Sequence, residues 1–207
     1  MLQIYGSPRT SAGRCYLMLE EVGAPYTAIA LDMFEKKEHK APAYLKLNPN
    51  GKVPCLVDGD FMVWESLAIN LYLAEKYKPE LLGSSPQDRA LIEQWNLWGM
   101  LELQTPMIEV FIQLFFVKDD ERDQTVIDEN RAKVPPLLAI LDSALADRKY
   151  ILGEKISLAD LNLATVANTA VALKFELEKY PNLSAWFNRV KERPSFQKFL
   201  SLRTPKS

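Results

Sequence analysis

Every stretch of this chain that reads as a β-strand lies before Lys78, and beyond residue 86 the apolar pattern is helical throughout. That segregation limits the fold to a small α/β unit followed by an all-α one. Leu2 to Tyr5 reads as a short buried strand closed by Gly6-Ser7-Pro8. From Ser11 the period becomes helical, with Cys15, Met18, Leu19 and Val22 at the i, i+3, i+4, i+7 spacing of one buried face. Gly23 supplies a left-handed cap, and Pro25 forbids continuation. Tyr26 to Leu31 reads as a second strand. Cys55-Leu56-Val57, the turn Asp58-Gly59-Asp60, and Phe61-Met62-Val63 read as a tight hairpin. A helix follows over Ser66 to Tyr77. The order is β-α-β-α-β-β-α, in which the strand–helix–strand crossover implies a parallel pair and the hairpin an antiparallel edge.

The stretch Lys78 to Pro86 carries two prolines besides a glycine and two serines, and reads as a linker. The expected division is therefore 1–78, a linker over 79–86, and a helical domain over 87–207. In the helical part Leu91, Trp95 and Trp98 share a face, and apolar positions continue to Phe116. Asp119 to Asp123 is a polar break. The next helical stretch runs to about Ala146, with Pro135-Pro136 expected to kink or restart it. Ser157-Leu158-Ala159-Asp160 resembles a capping box with Asp in place of Glu or Gln, and Ile156 and Leu161 are placed as its hydrophobic staple. Leu183 to Leu200 reads as helix with a break at Pro194.

Composition narrows the function classes. Of 207 residues 25 are basic and 27 acidic, a net charge of −2, and no Lys/Arg run of the kind that coats a phosphate backbone occurs, so no nucleic acid partner is expected. The N-terminus has no basic segment leading into a long apolar one, and no apolar run is long enough to span a bilayer, so neither a signal peptide nor a membrane partner is expected. The two cysteines, Cys15 and Cys55, form no C-x-x-C pair, and a reducing, cytoplasmic setting is the simplest expectation. One histidine and two scattered cysteines speak against a metal site.

Four places carry chemistry. In Tyr5 to Arg14 the hydroxyls of Ser7, Thr10 and Ser11 sit where a helix begins, so backbone N–H groups and the positive end of the helix dipole converge there. A thiolate at that point would be stabilised; an ordinary N-cap is the plainer reading. Pro54 opens a strand, which suits a cis bond that would leave the Val53 backbone free to pair with an added peptide; a turn proline is the alternative. Ser66, after Glu65, either caps its helix or binds a carboxylate with the exposed N–H groups. His39-Lys40 is a ligand-binding pair or solvated surface.

Taken in order, these segments resemble the glutathione transferase superfamily over nearly the whole chain. His39-Lys40 with Leu47-Asn48-Pro49 is similar to the corresponding stretch of phi-like members. Gly51-Lys52-Val53-Pro54 resembles the family's Gly-x-Val-Pro turn, with the proline cis. Trp64 to Ile69 resembles its Glu-Ser-x-Ala-Ile motif, and Ser157 to Asp160 its capping box. The resemblance, with phi-, theta- or nu-like bacterial features, implies a thioredoxin-like N-terminal domain, an all-helical C-terminal domain and a homodimer. It implies glutathione as co-substrate with no metal. His39 and Lys40 would hold the glycine carboxylate, Val53 ahead of Pro54 the cysteinyl unit, and Glu65 and Ser66 the γ-glutamyl end. Lys52 falls where members often make a polar ligand contact. Counting back from Arg14 along the family's Ser-x-x-x-Arg pattern lands on Thr10, with Ser11 the next candidate for the activating hydroxyl; no Cys stands at the position used by cysteine-type classes. The implied activity is conjugation of the glutathione thiolate to an apolar electrophile, in detoxification, with peroxide reduction as a linked possibility. A ligand carrier or protein-interaction module is the alternative. Trp95, Trp98, Met107, Phe111 and Phe115 are available to line an electrophile site at the start of the helical domain, or are plain helix core.

Overall fold

The computed structural model describes residues 1–204. They divide into two compact units: residues 1–82 together with the C-terminal stretch from Glu192, and residues 83–191.

The first unit begins with β1 (Leu2–Tyr5), α1 (Gly13–Val22) and β2 (Tyr26–Ile29). A single-turn α2 (Pro42–Leu45) leads to the hairpin β3 (Cys55–Asp58) and β4 (Phe61–Trp64), then α3 (Ser66–Tyr77). The sheet order is β2-β1-β3-β4, with β1 parallel to β2 and antiparallel to β3. The expected element order and pairing are thus those found, although β2 ends two residues before Leu31. A two-residue connection, Gly59-Asp60, sets the hairpin register: Cys55 faces Trp64 and Asp58 faces Phe61. Gly59 and Gly23 adopt the positive φ (62° and 67°) that their turn and cap require.

α1 departs from the one-sided stripe its spacing suggests. Gly13 through Leu19 and Glu21 are all buried, Val22 only partly. The reason is tertiary: α1 lies against both α3 and α9 (Pro194–Arg203). Phe196 and Phe199 of α9 are fully buried. The base of α9 is tied to α1 by Glu21, whose carboxylate accepts from Arg193 Nη2, Lys78 Nζ and Ser195 Oγ, each at 2.6 Å. The chain's last helix therefore completes the α/β unit rather than joining the helical one.

The second unit is built from α4 (Pro86–Trp98), α5 (Thr105–Phe115), α6 (Gln124–Ala144), α7 (Leu158–Ala172) and α8 (Pro181–Lys191). The serine-rich end of the linker is the start of α4. The Asp88 N–H donates to Ser85 Oγ (3.0 Å), and the Ser85 N–H donates back to Asp88 Oδ2 (3.1 Å). Between α4 and α5 the backbone opens into a π-helical segment, Gly99–Gln104. Pro106 explains it, having no N–H for the carbonyl four residues back and a ring that would strike it. Pro135 and Pro136 do not restart α6, contrary to expectation; it runs through them from Gln124 to Ala144, with Val134, Leu138 and Leu141 buried on one face. Helix packing overrides the local cost. The box at the start of α7 is present and goes further than the sequence suggests. The carboxylate of Asp160, fully buried, accepts from the Ser157 N–H (2.8 Å) and hydroxyl (2.6 Å), the Ile151 N–H (2.8 Å) and Trp186 Nε1 (2.8 Å). No described helix is long and apolar enough to cross a membrane.

Candidate active site

The turn between β1 and α1 holds the candidate hydroxyls, and their roles differ from an N-cap. α1 starts at Gly13 and its N-cap residue is Ala12, which makes no side-chain cap bond. Thr10 instead closes its own turn. Its hydroxyl donates to the Ser7 carbonyl at 2.7 Å and accepts from the Ala12 N–H at 3.3 Å. Ser11 is exposed and reaches across the fold: its hydroxyl donates to the Val53 carbonyl at 2.7 Å. Ser7 Oγ only accepts the Arg9 N–H, at 3.3 Å. Tyr5 stays in the strand, its ring against Tyr44 and its hydroxyl on Gln3.

The Val53–Pro54 bond is cis, and Val53 stands ahead of β3, outside the strand register that begins at Cys55. Two residues hold the peptide before it. Tyr44 Oη and Asn48 Nδ2 both donate to the Lys52 carbonyl at 2.7 Å, while the Lys52 side chain is exposed. Asn48 Oδ1 also accepts the Asn50 N–H at 3.0 Å. Gly6 lets β1 approach: a Cβ there would lie 2.9 Å from Val53 Cβ. Nearby, Lys40 Nζ donates to the Asn50 carbonyl at 3.2 Å, and His39 is half-buried, with its Nδ1 buried and without a hydrogen-bond partner. Gly51, φ 56°, is where a side chain would strike the His39 carbonyl at 2.9 Å.

At the start of α3 the N-cap position belongs to Glu65, not Ser66, and Glu65 holds φ 70°, ψ 117° without a side-chain cap bond. That backbone is costly for a residue with a Cβ, by about 1–3 kcal/mol, and such strain concentrates at functional sites. Ser66 is the first helical residue and is buried; its Oγ accepts from Arg14 Nη1 at 2.9 Å. The sequence uses Arg14 only as a counting mark. In the fold its guanidinium is buried behind Ser66; burial pulls its pKa down to about 10, against the opposing effects of Cys15 and Glu65. A buried cation behind a helix N-terminus whose cap is unfilled is a setting for an anion. Its signal in the sequence was faint: an arginine within an apolar period.

The fold therefore joins Ser11 to Val53, Ser66 to α1 through Arg14, and Lys40 and His39 to the 48–51 turn. Thr10 bonds within its own turn and makes no hydrogen bond to these partners. Cys15 and Cys55 are free, buried thiols, with burial pushing their pKa up to about 12 and about 11. They behave as small apolar side chains rather than nucleophiles. In the helical unit, Met107 is core, while Trp95 and Trp98 are half-buried with their rings edge to face at 5.1 Å. Phe111 stacks on the exposed Phe115 at 4.7 Å.

A four-stranded mixed sheet with a cis-proline turn leading into β3, and with hydroxyls at the start of its first helix, defines a thioredoxin-like domain. Comparison with known proteins agrees with this class. Residues 1–75 match the model of the glutathione S-transferase N-terminal domain, and residues 104–194 that of the C-terminal domain. A probable glutathione S-transferase of Oryza sativa is 37% identical, with 99% of this chain and 98% of the rice protein aligned. Among solved structures, maize glutathione S-transferase I in complex with an atrazine–glutathione conjugate is 34% identical, with a TM-score of 0.91 and coverage of 100% and 99%. The theta class glutathione S-transferase of Xanthomonas axonopodis pv. citri with glutathione bound is 32% identical, with a TM-score of 0.89 and the same coverage. The chain belongs to the glutathione S-transferase family.

Proposed function

We propose that this protein conjugates glutathione to apolar electrophiles. The observation that carries the reading is the Ser11–Val53 contact, which brings a helix-start hydroxyl and the backbone ahead of Pro54 to one point of the first unit. Glutathione lies along Val53 as an added strand, its cysteinyl N–H and C=O facing the Val53 backbone. The γ-glutamyl carboxylate takes Ser66 and the N–H groups of α3, with Arg14 behind them and Glu65 facing the amino group. His39, Lys40 and Lys52 face the glycine carboxylate. The thiol loses its proton to solvent, and the hydroxyl of Ser11 or Thr10 turns from its carbonyl acceptor, Val53 or Ser7, to donate to the thiolate; each unit by which the thiol pKa falls is about 1.4 kcal/mol. The thiolate then attacks the electrophilic carbon and the leaving group departs with its electron pair.

Exposed apolar residues support a homodimer. Phe61, Met62 and Trp64 on the edge strand β4, with Leu71 and Tyr77 of α3, stand 38–47% exposed, and an edge strand with large apolar side chains this exposed is one that a lone unit seldom leaves uncovered. Sedimentation velocity tests it; a monomer at micromolar concentration would refute it. A cytoplasmic, detoxifying role follows from the same reading.

The test of function is retention on immobilised glutathione followed by turnover of an aryl halide, with a hydroperoxide assayed in parallel for the linked peroxidase reaction. The expected result is retention with halide turnover. Retention with no turnover would mean a carrier. Comparing Thr10→Val with Ser11→Ala identifies the activating hydroxyl, and full rates in both would end the activation scheme.

A further inference from the structure

The loop that carries Thr10 and Ser11 is not held by its own turn alone. The far end of α9, some 190 residues away in sequence, grips it from the side. Arg203 Nη1 donates to the Pro8 carbonyl at 3.2 Å, and Arg9 Nε donates back to the Arg203 carbonyl at 2.8 Å. The Arg203 guanidinium also lies over the Phe199 ring, 5.3 Å from its centre. Gly13 shows how closely the parts fit. A Cβ at Gly13 would stand 2.5 Å from the Pro8 carbonyl, 3.2 Å from Phe199 and 3.4 Å from Arg203 Nη1. At its other end α9 is fixed to Glu21 through Arg193 and Ser195. The helix is thus fastened at both ends along α1, with Phe196 and Phe199 buried between the fastenings.

A helix fixed in this way transmits position. The hydroxyl of Ser11 is two residues from Arg9 and three from Pro8. Hydroxyl-to-sulfur stabilisation falls steeply with misplacement of a fraction of an ångström. The bonds inside the loop from Gly6 to Gly13 are all short-range: the Thr10 N–H and hydroxyl donate to the Ser7 carbonyl, the Arg9 N–H to Ser7 Oγ, the Ala12 N–H to Thr10 Oγ1 and the Gly13 N–H to the Thr10 carbonyl, and they shape the turn without fixing it against the rest of the unit. We infer that Arg203, through its reciprocal bonds with Pro8 and Arg9, is a positioning residue that aims the activating hydroxyl of this loop at the glutathione sulfur. The inference rests on the proposed conjugation reaction and concerns a residue that touches neither substrate.

The experiment is a pH profile of kcat/KM for an aryl halide, paired with ultraviolet titration of the glutathione thiol bound to the protein. Arg203→Met keeps the side-chain length over Phe199 and removes the donor to Pro8. It is expected to move the bound-thiol titration about one unit alkaline, and so to cut turnover on the acid limb about ten-fold. KM for glutathione should stay within about two-fold. Arg9→Met, which alters only an exposed side chain, should shift the titration in the same direction by a smaller amount. Arg203→Lys, able to return a donor to Pro8, should recover part of the loss. Lys198→Met removes one positive charge from the exposed side of α9 without touching the loop, and should leave the titration unmoved. A lower melting temperature with an unmoved titration in Arg203→Met would show a structural role only and overturn the inference. So would an equal shift in Lys198→Met, which would mean a long-range charge effect. A wild-type protein that binds no titratable glutathione thiol would remove the conjugation reading itself, and this inference with it.

Discussion

Replacing Asp160 tests the tertiary structure most directly. Each carboxylate oxygen takes two donors: Oδ1 those of Ile151 and Trp186, Oδ2 the N–H and hydroxyl of Ser157. In Asp160→Asn the amide oxygen can keep the first pair, but an NH2 group then faces Ser157. The hydroxyl can rotate to accept from it; the Ser157 N–H cannot. One buried donor left without an acceptor costs about 1–3 kcal/mol. Asp160→Ala strands the N–H groups of Ser157 and Ile151 and the Trp186 indole. Those penalties are offset in part because no charge is then buried, leaving a net loss of about 3–5 kcal/mol. For a protein of this size that is a fall in melting temperature of about 6–20 °C. Urea unfolding at neutral pH should show the midpoint falling in the order wild type, Asn, Ala with an unchanged slope, while turnover per folded molecule in the cold stays near wild type. An Asn variant within about 0.5 kcal/mol of wild type would refute the bond-by-bond argument.

Three further outcomes follow. Burial alone would raise the Glu21 carboxyl pKa, but bonds from Arg193, Lys78 and Ser195 outweigh it and hold the group below its ordinary value of 4.5. A depressed carboxyl pKa gives stability that is present above the ordinary value and lost as pH falls through the folded one. Melting of Glu21→Gln should therefore lie below wild type by about 2 kcal/mol at pH 7 and converge with it in acid, as calorimetry from neutral pH to below pH 4 would show. Glu65→Gly relieves the positive-φ backbone and should gain about 1 kcal/mol in chemical denaturation while weakening glutathione binding by calorimetric titration; a loss of stability would contradict the strain. Asn48→Ala takes one of two donors from the Lys52 carbonyl and the acceptor from Asn50, so KM for glutathione should rise several-fold at nearly constant kcat; an unchanged KM would show that the 48–53 turn needs no such brace.

The candidate site was partly legible. Pro54 at a strand entrance, Ser66 before an apolar period and hydroxyls at a strand–helix turn are local anomalies, and a local anomaly can be seen in one dimension. What those hydroxyls bond to could not be seen: Ser11 finds Val53, 42 residues away, while Thr10, favoured by counting from Arg14, turns back on Ser7. Arg14 served in the sequence only to count back to Thr10, and only the packing of α1 against α3 brings it behind Ser66. The same limit applied to the helices. Pro135-Pro136 carries a strong local signal for a break, yet buried neighbours on both sides of the pair hold α6 together.

The amino-acid sequence alone determined the order of strands and helices, the presence of the tight hairpin and the caps at Gly23 and Ser157, because period, glycine, proline and capping side chains act over a few residues. Only the tertiary structure decided that α9 closes on α1, that its end reaches the Pro8 loop, and that one aspartate joins a cap, a loop and a tryptophan. Those contacts join residues tens to nearly two hundred positions apart, and nothing in local spacing encodes which distant side chain fills a gap until the chain has folded around it.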